Sequence, residues 1–147
     1  MKALMFGWEF PPHILGGLGT ASYGLTRGMA QQEDMDITFV IPKPWGDEDQ
    51  SFLRIIGANS VPIVWKENDY NYVKDKMAGK MSPEEYYHLR NGIHYDYRRI
   101  GTDELGCVGF SGRYPDNLIE EINNYEAVAS VLAHSLDFDI IHSHDWL

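Results

Sequence analysis

Apolar residues open the chain in one unbroken run, Ala3-Leu4-Met5-Phe6, and a second run follows at Ile37-Thr38-Phe39-Val40-Ile41. Each is short and free of charge, which predicts a buried strand, the second stopped by Pro42 and Pro44. Between them Leu18, Ala21, Leu25 and Met29 recur at helical spacing in a segment reaching about Gln31, and Glu33 to Asp36 make a polar turn. Strand, helix and strand in that order predict a parallel pair with a right-handed crossover, and hence an open α/β sheet.

The next stretch is less regular. Trp45 to Ser60 opens on the acidic turn Gly46-Asp47-Glu48-Asp49 and reads as a surface loop with a short strand over Phe52 to Ile56. Val61 to Trp65 reads as a strand, with Pro62 placing it at a sheet edge or at its own start. Ser82-Pro83-Glu84-Glu85 is a capping box with proline at the first helical position, so a short helix should begin there. Tyr70, Tyr72, Tyr86 and Tyr87 stand among charges of both signs. Their faces could stack on sugar rings, but tyrosines in such a segment are more often half-buried, with the hydroxyls in water. Ile93 to Ile100 alternates as a strand, and Gly101 to Gly112 is a glycine-rich loop. The whole of about 45–113 is thus an irregular excursion from the sheet.

Regular pattern returns at Asp116, a plausible cap for a helix in which Leu118, Ile122, Tyr125, Ala129 and Leu132 share one face. That helix should lie on the sheet and lead back to it through Ile140-Ile141, another buried strand. No internal repeat or low-complexity tract interrupts this order.

Chemistry gathers at two places. In the first, Pro11-Pro12 forbid helix and set an extended path, and Gly16-Gly17-Leu18-Gly19 then mark the N-terminus of the first helix. Free backbone N–H groups and the positive end of the helix dipole meet there, and glycine lets a phosphate or sugar come close. The glycines admit a purely structural role too, shaping a loop and letting the helix pack closely on the sheet. A dinucleotide fingerprint does not fit: Gly7 to Leu15 separate strand from glycines, Ser22 stands where the third glycine belongs, and the second strand ends in Ile41-Pro42-Lys43 without an acid. A Walker loop does not fit either, because Thr20 follows Gly19 with no lysine.

The second place is the end of the chain, Asp139-Ile140-Ile141-His142-Ser143-His144-Asp145-Trp146-Leu147. His144, Asp145 and Trp146 fall at the carboxyl end of a strand, the rim where open α/β sheets bind ligands and where the glycine loop also lies. His142 and His144 would share a strand face with Asp145 adjacent, yet the spacing does not match a binuclear hydrolase pattern, and no metal is expected. Histidines that satisfy backbone groups at a strand end are the structural alternative.

Composition narrows the function classes. At 147 residues, 44% hydrophobic and 23% charged, the chain has the size and balance of one soluble globular domain. A formal charge of -10, with no basic run beyond Arg98-Arg99, argues against nucleic acid and anionic membranes as partners. The single cysteine, Cys107, excludes an internal disulfide framework and, beside Val108 and Phe110, reads as structural. The first apolar run is too short for a secretory signal and no later run approaches a membrane span, so the expected compartment is cytoplasmic.

Taken together, Glu9-Phe-Pro-Pro, Gly16-Gly17-Leu18-Gly19 and Ile-Ile-His-Ser-His-Asp-Trp resemble the glycogen and starch synthases among the retaining GT-B glycosyltransferases. The resemblance implies a Rossmann-like, mainly parallel sheet with helices on both faces, the incomplete N-terminal, acceptor-side half of a GT-B fold spanning 1–147. It implies transfer of glucose from a nucleotide sugar, ADP-glucose or UDP-glucose, to an α-glucan with retention and without metal or other cofactor. It also implies a nucleotide-binding C-terminal domain that is not in this sequence, so that the chain alone is expected to be inactive.

Carried over residue by residue, Asp145 would hydrogen-bond sugar hydroxyls, His144 would shape the pocket and Glu9 would face the acceptor. The backbone of Gly16, Gly17, Leu18 and Gly19 would contact donor phosphate or sugar, and Trp146 would pack. The sequence departs at Leu15, where bacterial glycogen synthases carry lysine, and the donor stays open. Two alternatives remain at this point: a GT-B enzyme using another nucleotide sugar, and a non-catalytic α/β domain that binds carbohydrate or phosphate.

Overall fold

The structure, a computed structural model, describes residues 1–63, 82–84 and 100–144. The chain divides into two compact units, one formed by Met1–Gly57, Ser111–Asp116 and Phe138–Leu147, the other by Ala58–Phe110 and Asn117–Asp137.

Among the described residues the first unit holds an open sheet of four parallel strands. They are β1 (Lys2–Phe6), β2 (Asp36–Ile41), β3 (Arg54–Gly57) and β4 (Ile140–Ser143), and helix α1 (Gly17–Met29) connects β1 to β2. The order across the sheet is β3-β2-β1-β4. The chain therefore steps outward on one side of β1 and returns on the other, the strand arrangement of a Rossmann-like half domain. Register is in step throughout, with Met5 beside Phe39 and His142, and Phe39 beside Ile55.

Because side chains alternate along a strand, Ala3, Met5, Ile37, Phe39, Ile41 and Ile55 face one side together. With Phe10 and Leu53 they form the core against which Tyr23, Met29, Ala30 and Phe52 pack. Phe10 and Phe39 meet at 5.2 Å between ring centroids. On the opposite face Leu4, Phe6, Val40 and Ile56 are buried too, as a parallel sheet requires.

Several sequence expectations change here. Helix α1 does not bury the stripe Leu18-Ala21-Leu25-Met29. Its buried residues are Gly19, Ser22 and Thr26, while Leu25 is 40% exposed. Small polar residues can turn inward because their hydroxyls bond within the helix. Ser22 Oγ donates to Leu18 O at 2.9 Å and Thr26 Oγ1 to Ser22 O at 2.8 Å, so neither is left unpaired. Pro11-Pro12 does not set an extended path either. The dipeptide is cis and sits in a turn, and Phe10 and His13 pair as an antiparallel bridge across it.

The polar turn before β2 is present, with Asp34 at φ 62. Strand β3 begins two residues later than Phe52. Strand β4 lies where Ile140-Ile141 predicted it but is not buried. All its residues are exposed, Ile140 by 49% and Ile141 by 44%, because among the described residues β1 is its only neighbour.

The second unit contains helix α2 (Leu118–Ser135), which packs beside a 3-10 turn at Ala58–Ser60. Its buried stripe is Glu121, Tyr125, Val128, Leu132 and Ser135. Leu118, Ile122 and Ala129 of the predicted face are only partly covered. The cap position is Asn117 rather than Asp116, and no side chain caps it. Val61–Ile63 form no strand. Pro62 makes a single bridge to Cys107, beside a turn that Asp103 organises by accepting the N–H groups of Leu105 and Cys107 at 2.9 Å each. Cys107 is buried and takes part in no disulfide. Pro83 and Glu84 are helical. Val64-Trp65, the tyrosines 70, 72, 86 and 87, and the strand expected over Ile93 to Ile100 lie outside the described residues.

Candidate functional site

In a sheet ordered β3-β2-β1-β4 the connections diverge on either side of β1. At such a reversal of strand order, the carboxyl ends of β1 and β4 form the rim where doubly wound folds take ligands. Both stretches singled out by sequence end there. His144 follows β4 directly, and its backbone N–H donates to Phe6 O at 3.1 Å, extending the ladder one residue beyond the strand. The glycine loop leaves β1 through Gly7, whose N–H bonds Val40 O at 3.0 Å. A Cβ on Gly7 would stand 2.5 Å from the Phe39 ring, so this exit needs glycine.

Glu9 organises the loop. It is 5% exposed, and its carboxylate accepts two backbone N–H groups, from Leu15 at 2.8 Å and Gly19 at 3.0 Å. Helix α1 has Gly16 at its cap position, with no side-chain cap and no acid in its first turn. Glu9 thus supplies from outside the helix the negative group that the helix N-terminus favours. Its carboxylate is occupied by the loop itself.

The glycines separate into two kinds. A Cβ on Gly19 would lie 2.2 Å from Ile14 Cγ2 and 3.1 Å from Glu9 Cγ, so Gly19 is demanded by close packing inside the loop. Gly17 has nothing within 4 Å of its Cβ position, and Gly16 meets only Glu9 Oε1 at 3.9 Å. Both are exposed and neither has a positive φ. The structural role considered for the whole cluster therefore accounts for Gly19 and leaves Gly16 and Gly17 without an internal reason. Leu18 between them is half-buried, and Leu15 is 65% exposed.

His142 and His144 share a strand face as expected, with ring centroids 4.6 Å apart. His144 is buried and leans on Phe39, at 5.8 Å between centroids. Among the described residues its Nε2 has no hydrogen-bond partner. Burial, and secondly the neighbouring His142, push the His144 pKa below the ordinary value, so the ring is held neutral. A buried, neutral, unpaired imidazole nitrogen at a sheet rim is suited to one hydrogen bond with an incoming polar group. Asp145 and Trp146 lie outside the described residues. Among the described residues no group of three His, Cys, Asp or Glu is placed to hold a metal ion, and no helix is long and apolar enough to cross a membrane.

Sequence reading missed Trp8. Its indole is 2% exposed, donates from Nε1 to Arg113 O at 3.0 Å and lies 6.2 Å from the Tyr114 ring. That fastens the segment Ser111–Asp116 to the loop after β1. No local pattern could reveal a bond spanning more than a hundred residues.

Comparison with known proteins bears on the family and the fold. The starch synthase catalytic domain family matches residues 2–147. The chain is 24% identical over 148 residues to the glycogen synthase of Chlamydia caviae, covering 99% of this chain and 28% of that protein. It is 24% identical over 155 residues to the glycogen synthase of Mycobacterium tuberculosis, covering 100% of this chain and 28% of that protein. The chain thus spans 28% of the length of these relatives. No solved structure matches it significantly.

Proposed function

The chain belongs to the starch synthase catalytic domain family, and from that premise we propose that it forms the N-terminal, acceptor-side part of a retaining GT-B glycosyltransferase. Joined to a nucleotide-binding domain, it transfers glucose from ADP-glucose or UDP-glucose to the non-reducing end of an α-glucan, in the cytoplasm. By itself it is inactive.

The observation that carries this reading is the contrast among the glycines. Gly19 is fixed by packing, whereas Gly16 and Gly17 stand open at the N-terminus of α1. Open glycines there let a diphosphate approach free N–H groups at the positive end of α1. His144 Nε2, buried and unpaired, accepts from or donates to a sugar hydroxyl at the same rim, with Asp145 as its companion. Glu9 acts on the substrate through the loop, holding Leu15 and Gly19 so that the amides of Gly16 and Gly17 keep their direction. Catalysis of this kind rests on positioning and on preorganised stabilisation of the leaving diphosphate.

The test is incorporation of labelled glucose into glycogen from ADP-glucose and UDP-glucose side by side, by this chain and by a version extended with a family nucleotide-binding domain. Transfer by the extended protein alone is expected, with one donor preferred. Failure of the extended protein with either donor, while the chain still binds glucan, would instead favour a non-catalytic carbohydrate-binding domain.

A further inference from the structure

Three segments of the first unit converge on one exposed indole. Trp45 is 43% exposed, and around its ring stand His13 from the loop after β1, Lys43 from the end of β2, and Arg113 from the segment Ser111–Asp116. Ring centroids of His13 and Trp45 are 5.0 Å apart; Lys43 Nζ lies 4.9 Å and Arg113 Cζ 6.0 Å from the Trp45 centroid. His13 Nε2 is 2.7 Å from Asp47 Oδ1, and the Asp47 side chain is exposed.

The cluster is held in place by buried groups. Glu48, 7% exposed, accepts the N–H of Trp45 at 2.7 Å and of Gly46 at 2.9 Å, and Gly46 turns the chain at φ 98. Gly112, at φ 70, leaves 3.3 Å between a Cβ position and Lys43 Cβ, a spacing that brings the Arg113 segment against Lys43. Trp8 fastens Arg113 through its carbonyl.

Lys43 and Arg113 stand against the same ring with no carboxylate in ion-pair contact among the described residues, a local positive spot in a chain of formal charge -10 to which an anionic group can be drawn. An exposed indole adds a flat apolar face, and an exposed carboxylate adds an acceptor for hydroxyl groups. We propose that Trp45, Lys43, Arg113 and the His13–Asp47 pair form a binding site for a phosphorylated sugar, with the sugar ring on the indole, the phosphate between Lys43 and Arg113, and hydroxyls on Asp47. A bare phosphate would leave the indole unused, and a neutral glucan would leave the two cations without an anion. The site does not depend on glucosyl transfer by this protein.

The experiment is titration of the full 147-residue chain with glucose 1-phosphate, glucose 6-phosphate, inorganic phosphate and maltopentaose, followed by calorimetry and by the Trp45 indole N–H resonance. Saturable binding of at least one sugar phosphate is expected, tighter than phosphate and maltopentaose. Lys43→Gln and Arg113→Gln should each weaken it about tenfold or more, the size of a lost charge-assisted hydrogen bond, Trp45→Ala should weaken it about tenfold by removing the aromatic face, and Trp45→Phe should recover most of that loss. All of these residues lie at the surface, and circular dichroism of the variants checks that each is folded. Absence of saturable binding overturns the proposal, as does maltopentaose binding that ignores Lys43→Gln and Arg113→Gln, or phosphate binding as tight as that of the sugar phosphates.

Discussion

Glu9 Oε1 accepts the backbone N–H of Gly19 at 3.0 Å, joining a residue just past β1 to the first turn of α1 ten positions later. With the bond from Leu15 to its other oxygen, it makes Glu9 the cap that α1 lacks in its own sequence. Glu9→Gln keeps one acceptor and places an amide donor against the second N–H. Because a buried unsatisfied donor costs about 1–3 kcal/mol, urea unfolding should show a loss of that size. A variant as stable as the parent would mean that the carboxylate does not hold the loop.

The two kinds of glycine should respond in opposite ways. Gly19→Ala forces a methyl to 2.2 Å from Ile14 Cγ2, which overpacking data place at about 1–3 kcal/mol of destabilisation. Gly17→Ala meets open space in a helical position and should be neutral or stabilising by up to about 1 kcal/mol. Thermal unfolding of the pair decides it, and equal losses at both sites would contradict the division.

The buried face of α1 makes a further claim. Leu25→Lys should change stability by less than about 0.5 kcal/mol, since the side chain already points to solvent. Phe39→Ala, at 0% exposure in the sheet core, should cost about 3–5 kcal/mol. A large loss from Leu25→Lys would restore the face that helical spacing alone suggested.

His144 ties stability to pH. Burial and His142 hold its folded pKa below the ordinary 6.5, so the folded form keeps the neutral ring. An unfolded chain takes up the proton as pH falls through 6.5 while the folded chain resists it. This contribution is therefore complete above that value and is lost as pH falls towards the lower folded pKa. Urea unfolding at about pH 7.5 and about pH 5.5 should show the loss, and His144→Phe should reduce it. His142→Ala removes the secondary cause, and the His144 imidazole resonance should then titrate at higher pH. Unchanged titration would remove His142 as a cause.

Local composition was enough to place β1, β2, both helices and the glycines at the start of α1, because each depends on neighbours within a few residues. The positions of Glu9, Gly16 to Gly19 and His144 just past β1, at the start of α1 and just past β4 followed for the same reason. Tertiary structure alone decided that β4 returns beside β1, that Ile140 and Ile141 stay exposed, and that Ser22 and Thr26, not Leu25, face the core. Hydrophobic spacing measures the average polarity of a face. It cannot register that a hydroxyl bonded to its own helix carbonyl is cheap to bury. Likewise, Glu9 capping α1, Trp8 holding Arg113 and the ring of charges about Trp45 are contacts between distant segments, and only the folded backbone brings their atoms within bonding distance.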